Sequence, residues 1–266
     1  MIFVCSDLHG FPLKDFKKLL SEAGFSADDT LYILGDVIDR NGDGGIEMLR
    51  WIMKNKNIIM LKGNHEDMLL KCRGIFDKNC TLDIDEVFAM NDYLSNGGNV
   101  TIKSMEQLKN SERLKIFKYL DSLPLYADIR CGNKQFVLVH GGFDNFKPHK
   151  KLGSYEDYEI LWARPELEEK YFKRKTVIFG HTPTVCYGEQ FRGNIIHTPT
   201  WINIDIGAAY GYGAALLRID DMKEFYIEIC CVCICIILNI PHNISFTEHI
   251  LSCCKYFLIP IGENTL

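Results

Sequence analysis

The feature that most constrains the fold is an alternation of short apolar strands with amphipathic helices over residues 2–61. Ile2–Ser6 reads as a strand. Phe11–Ser21 then places Leu13, Phe16, Leu19 and Leu20 on one helical face, with Pro12 near its start and Gly24 after its end. Thr30–Leu34 is a second strand, Ile46–Lys54 a second helix and Ile58–Leu61 a third strand. A βαβαβ order predicts an α/β protein with parallel strands joined by right-handed crossovers. From about Cys72 to Asp128 the pattern changes to helix: Glu86–Leu94 and Met105–Leu120 carry helical periodicity, with Asn96-Gly97-Gly98 as a break. Strands resume at Gln135–Val139, Thr176–Phe179, Trp201–Asp205, Ala214–Ile219 and Glu224–Ile229. They come without long helices between them, which predicts a second sheet packed on the first.

The length of 266 residues suits one or two domains. Six of the 11 cysteines fall after Glu228, in a strongly apolar stretch with few charges, so the expected catalytic domain is residues 1–228 and the tail, 229–266, is expected to lie outside it. With 30 basic against 35 acidic residues, the net charge of −5 argues against a broad nucleic-acid-binding surface. Asp7 interrupts the initial apolar run too early for a signal peptide, and Cys5, Cys72, Cys80, Cys131 and Cys186 are scattered singly. Both point to reduced thiols in a cytoplasm. The longest apolar run, Ile229–Leu238, is well short of the roughly 20 residues that span a bilayer, so no membrane partner is expected.

Five short motifs follow five of the strands: Asp7-Leu8-His9-Gly10, Gly35-Asp36-Val37-Ile38-Asp39-Arg40, Gly63-Asn64-His65-Glu66, His140-Gly141-Gly142 and Gly180-His181-Thr182. Loops at the carboxyl ends of parallel strands converge on one crevice. Each motif supplies Asp, Asn or His, a mixture of hard oxygen and imidazole nitrogen suited to manganese, iron or zinc. Taken singly, each reads equally well as a capped turn or a satisfied core histidine. All five together, in order and each after an apolar strand, read as a metal centre.

This set resembles the phosphoprotein phosphatase family of metallophosphoesterases, and within it the compact bacterial and bacteriophage serine/threonine phosphatases, over roughly residues 1–228. The resemblance implies a calcineurin-like metallophosphoesterase fold, a sandwich of two mixed β-sheets flanked by helices. It implies that Asp7 and His9 hold one divalent ion, that Asn64, His140 and His181 hold a second, and that Asp36 bridges both. The expected metal is manganese, with iron and zinc admitted by the same ligands. A hydroxide shared by the two ions would be the nucleophile. Arg40 and Arg164 would bind phosphate through their guanidinium forks. His65 would protonate the departing alkoxide, and Asp39 would orient its ring. Glu66 would support the loop rather than perform chemistry, and Tyr210 is either an aromatic ring beside the metals or part of the core. The implied substrates are phosphorylated proteins.

Ser6 and Asn41-Gly42 depart from the family's usual residues but remove no ligand. His149, His197, His242 and His249 belong to no motif and are given no role. Cys186 to Arg192 satisfies the Cys-x5-Arg spacing of cysteine-dependent phosphatases, but Glu189 would put a negative charge where phosphate must sit. Asp43-Gly44-Gly45 precedes a helix without the lysine of a phosphate-binding loop. Two other functions stay open: a dinucleoside polyphosphate hydrolase using the same metal ligands, and a non-catalytic relative that only binds partners. Asp39 and Glu66 favour the protein phosphatase over the first, and the complete ligand set speaks against the second.

Overall fold

The computed structural model describes residues 1–77 and 83–227. The expectations for the 229–266 tail, and for the end of the strand at Glu224–Ile229, lie outside the described residues. No helix among the described residues is long and apolar enough to cross a membrane.

The first half follows the predicted order: β1 (Ile2–Cys5), α1 (Leu13–Glu22), β2 (Thr30–Ile33), α2 (Ile46–Ile52) and β3 (Ile58–Met60), with the three strands parallel. The buried residues of α1 are Leu13, Phe16, Leu19 and Leu20, the face read from the spacing. Burying each such side chain contributes about 1.5–3 kcal/mol, which outweighs the marginal stability of so short a helix on its own. A helix not expected from the pattern, α3 (Asn64–Lys71), begins inside the Gly63-Asn64-His65-Glu66 motif.

The insertion contains α4 (Ile84–Ser95), α5 (Asn99–Glu106) and α6 (Asn110–Asp121). The single helix expected over Met105–Leu120 is therefore two, parted where Lys109 takes extended backbone. Met105, Ile116, Phe117 and Leu120 are all buried, so the apolar pattern runs through the break. A hairpin follows, β4 (Tyr126–Cys131) against β5 (Lys134–Val139). The pattern missed β4, whose outward Asp128 and Arg130 are exposed and whose other residues are only half-buried. The remaining elements are α7 (Asp157–Leu161), β6 (Thr176–Phe179), β7 (Ile196–His197), β8 (Trp201–Asn203), β9 (Ala214–Arg218) and β10 (Lys223–Ile227).

Two five-stranded mixed sheets result, ordered β10-β9-β1-β2-β3 and β4-β5-β6-β8-β7. The last two strands do not join the second sheet as expected: β9 pairs antiparallel with β1 of the first, and β10 pairs antiparallel with β9. Val4 and Leu217 of the first sheet share one buried cluster with Phe136, Leu138, Ile178 and Ile202 of the second. Val137, Val139, Val177 and Trp201 alternate onto the opposite face of the second sheet, beside Phe143 and Tyr171. That period of two fixes the sandwich. The parallel strands β1, β2 and β3 in one sheet, and β5, β6 and β8 in the other, deliver their carboxyl-end loops to the site described next.

Candidate metal centre

Asp7 and His9 follow β1; Asp36, Asp39 and Arg40 follow β2; Asn64 and His65 open α3 after β3; His140 follows β5 and His181 follows β6. Hydrogen bonds tie these loops together: Gly180 N–H donates to the His140 carbonyl at 2.7 Å within the second sheet, and His181 N–H donates to Asp7 Oδ2 at 2.9 Å across to the first. Among the described residues, eight that are not glycine have left-handed backbone. Six of them are Asp7, His9, Asp36, Asp39, Arg40 and His181. Left-handed backbone is unfavourable for such residues, and its concentration here marks a site kept for function rather than stability. Gly63 and Gly180 are required by close approach: a Cβ on either would fall onto the carboxylate of Asp36 or Asp7.

The ligand candidates surround Asp36. His9 Nε2 and His65 Nε2 lie 3.6 and 3.8 Å from its Oδ2, and His140 Nε2 lies 3.5 Å from Oδ1. Asp7 Oδ1 is 3.9 Å from His9 Nε2. On the other side, Asn64 Oδ1 is approached by His140 Nε2 at 2.8 Å and His181 Nδ1 at 3.0 Å. Two groups thus have the spacing to hold an ion, His9–Asp36–His65 and Asp36–His140–His181, and both contain Asp36. The Nδ1 atoms of His9 and His140 donate to the carbonyls of Ile38 (3.0 Å) and Leu34 (2.8 Å), which turns each Nε2 inward.

Three observations show that divalent cations fit here. Asp7 Oδ1 and His181 Nε2 are buried with no hydrogen-bond partner, and such atoms are costly to leave unpaired. Burial, reinforced by the charge of Asp7, pushes the carboxyls of Asp36 and Asp205 well above the usual carboxylate range, so the cluster lacks positive charge. Burial also lowers the pKa values of His9 and His181, helped by His65 and Arg40 beside the first and His140 and Arg164 beside the second. Both imidazoles are held neutral, the form that ligates metal.

At the rim, His65 Nδ1–H donates to Asp39 Oδ2 at 2.6 Å, and both side chains are buried. Arg40 Nη2 lies 3.3 Å from His65 Nε2, and Nη1 donates to the Tyr210 hydroxyl at 3.3 Å, with the guanidinium 5.7 Å from the tyrosine ring centre. Tyr210 is 50% exposed, which excludes it from the core and places it against Arg40. Arg164 Nη1 donates to Thr182 Oγ1 at 3.2 Å, next to His181. All ten expected site residues are therefore drawn into one region. The Cys-x5-Arg alternative fails: Cys186 lies on one short 3₁₀ turn and Arg192 follows the next, and partial desolvation, with Asp205 nearby, raises the Cys186 thiol pKa instead of lowering it.

Three buried residues complete the surroundings. Glu66 accepts from the backbone N–H groups of Asp36, Val37 and Gly63 at 2.8–2.9 Å, so it staples the loop that carries Asp36. Asp205, after β8, accepts from Gly207 N–H and faces Asp7. Tyr93, in the insertion, donates its hydroxyl to Asp39 Oδ1 at 2.6 Å. Neither of the last two lies in a motif; Asp205 could have been sought as one more acid at a strand end, while nothing local marks Tyr93.

A mixed two-sheet sandwich whose strand ends bring carboxylates, imidazoles and two arginines together defines a metal-dependent phosphoester hydrolase. The chain belongs to the calcineurin-like phosphoesterase family, a class of two-metal hydrolases whose family model matches residues 1–199. Among solved structures, it is similar to a candidate diadenosine tetraphosphatase, with 17% identity and a TM-score of 0.60, over 85% of this chain and 92% of that one. It is also similar to a protein serine/threonine phosphatase from Saccharomyces cerevisiae, with 17% identity and a TM-score of 0.52, over 86% of this chain and 80% of that one. At such identity, both likenesses speak for the fold alone. No curated protein sequence matches the chain.

Proposed function

We propose that the chain is a phosphoprotein phosphatase of the serine/threonine type, hydrolysing phosphomonoesters in line. Asp7 and His9 would hold one cation, Asn64, His140 and His181 a second, and Asp36 both. The four free thiols among the described cysteines, Cys5, Cys72, Cys131 and Cys186, support work in the cytoplasm. When bound, two divalent ions, with manganese expected, activate the attacking water and act as Lewis acids on the phosphoryl oxygens.

The chain's own residues do the rest. Arg40 and Arg164 clamp the phosphoryl oxygens and counter the charge that spreads over them during transfer. Tyr210 steadies Arg40 through its hydroxyl and ring face. Asp39 accepts Nδ1–H of His65 and so points Nε2 at the ligand cluster; from its doubly protonated form the ring gives the Nε2 proton to the leaving oxygen and keeps the Nδ1 proton beside Asp39.

The buried Asp39–His65 pair is the observation that carries this reading. A serine alkoxide is a poor leaving group and gains much from a positioned acid, whereas a nucleotide leaving group departs readily and gains little. The test compares kcat/KM for a phosphoserine or phosphothreonine peptide with that for a dinucleoside tetraphosphate, at one pH with manganese. Preference for the peptide is expected. A tenfold preference for the dinucleotide, about 1.4 kcal/mol, would overturn the protein-phosphatase assignment and leave the metal centre standing.

A further inference from the structure

The insertion helix α4 is unusual in what it buries. Of its 12 residues, only Tyr93 is fully withdrawn from solvent, while Ile84 and Phe88 are each 65% exposed. A helix normally docks by burying a whole apolar stripe. This one inserts a single phenol, whose hydroxyl reaches Asp39 Oδ1 at 2.6 Å while Asp39 Oδ2 accepts from His65. The segment that follows holds the same loop from other directions. Arg40 N–H donates to the Gly97 carbonyl at 3.1 Å, and Asp39 N–H to the Thr101 hydroxyl at 3.0 Å. Thr101 in turn donates to the Gly44 carbonyl at 3.1 Å. Gly98 lies flush on the Tyr93 ring, with space for no side chain: a Cβ there would stand 2.5 Å from the ring carbon that bears the hydroxyl.

We propose that Tyr93 is a positioning residue, delivered by α4 to lock the Asp39 carboxylate so that Asp39 holds His65 as the proton donor to the leaving group. A carboxylate held by one partner can rotate about its terminal torsion, which is broad and soft. Held at both oxygens by buried donors it has one orientation, and the imidazole it grips has one tautomer. The insertion thus contributes to the acid step without touching substrate. The inference rests on the role proposed above for His65.

The test uses the full-length protein loaded with zinc or manganese. Tyr93→Phe removes only the hydroxyl. It should lower kcat for a phosphoserine peptide roughly tenfold with little change in KM, and scarcely affect p-nitrophenyl phosphate, whose leaving group needs no proton. Combined with Asp39→Asn, it should add no further loss. Gly98→Ala, which pushes the ring away, should reproduce the effect. Equal losses on both substrates, a loss confined to KM, or full additivity with Asp39→Asn would overturn the proposal.

A second measurement separates this proposal from the function it builds on. In the zinc-loaded protein, ¹⁵N NMR of the His65 ring, assigned with His65→Asn, should show Nδ1 protonated in the wild type and a tautomer mixture in Tyr93→Phe. Should the wild type prove indifferent to loss of His65, the acid role falls and Tyr93 with it as a catalytic aid. The spectrum still decides the lock, since an unchanged tautomer in Tyr93→Phe refutes it.

Discussion

Replacing Glu66 by glutamine probes the staple that holds the Asp36 loop. Glu66 Oε2 accepts from Asp36 N–H (2.8 Å) and Gly63 N–H (2.9 Å), and Oε1 from Val37 N–H (2.9 Å) and, at longer range, Ile38 N–H (3.4 Å). The side chain is buried, and burial raises its carboxyl pKa against the pull of those N–H groups. A glutamine retains one accepting oxygen. It keeps the shorter pair by turning its NH₂ toward Val37 and Ile38, which sets donor against donor. A hydrogen bond to a charged group contributes about 1.5–3 kcal/mol, so losing one short and one long bond costs about 3 kcal/mol. Removing a buried negative charge beside Asp36 returns about 1 kcal/mol. The net loss of about 2 kcal/mol should lower Tm by about 4–8 °C for a domain of this size. Because the staple positions a ligand's backbone, metal affinity should fall on the order of tenfold as well. Thermal melts of the metal-free protein, with calorimetric titration of manganese, give both quantities. A Tm within about 1 °C of wild type together with unchanged affinity would refute the staple.

Three further outcomes are expected. Elemental analysis should find about two divalent ions per chain, with activity lost to chelation and restored by manganese; Asp36→Asn should be the most damaging ligand change, and tight binding of one ion only would contradict a shared Asp36. His65→Asn should lower kcat on a phosphoserine peptide by about 10²–10⁴-fold, and by much less on an aryl phosphate; equal losses would remove His65 from the acid role. Away from the site, two hydrogen bonds from Arg218, at 2.8 and 2.6 Å, hold the exposed Asp221 carboxyl down to about 2. A lowered folded-state pKa stabilises above the unfolded carboxylate value and is lost as pH falls toward the folded one. The Tm difference between wild type and Asp221→Asn should therefore be steady near neutral pH and close between about pH 4 and 2; a difference that persists at pH 2 would contradict the pairing.

The elements most legible in the sequence were those whose signal is local. The face of α1 was readable because four apolar residues recur at helical spacing. The boundaries of β6 were readable because an apolar run ends sharply at Gly180. What failed was set by partners distant in the chain. The pattern missed β4 because its half-buried face and outward charges give a weak alternation. It kept α5 and α6 as one helix because both bury residues of the same period on either side of an extended Lys109. It assigned β9 and β10 to the wrong sheet because strand periodicity is the same whichever edge a strand joins.

The site divides along the same line. Metal-ligand types, their order and their attachment to strand ends are written in short contiguous motifs, since each ligand must sit in a tight turn immediately after its strand. The sequence alone thus offered the candidate metal ligands, and the resemblance it carries added two arginines and a His–Asp pair as expectations. Only the tertiary structure decided how those groups are held. Glu66 proved to be the staple of a loop some 30 residues away, Tyr210 a partner of Arg40 across 170 residues, and Tyr93 the second anchor of Asp39 across 54. Each of these contacts is a hydrogen bond between side chain and loop whose geometry is fixed by the packing of whole elements. A phenol on an insertion helix has no local signature of the carboxylate it will meet, because its partner is chosen by where the helix docks.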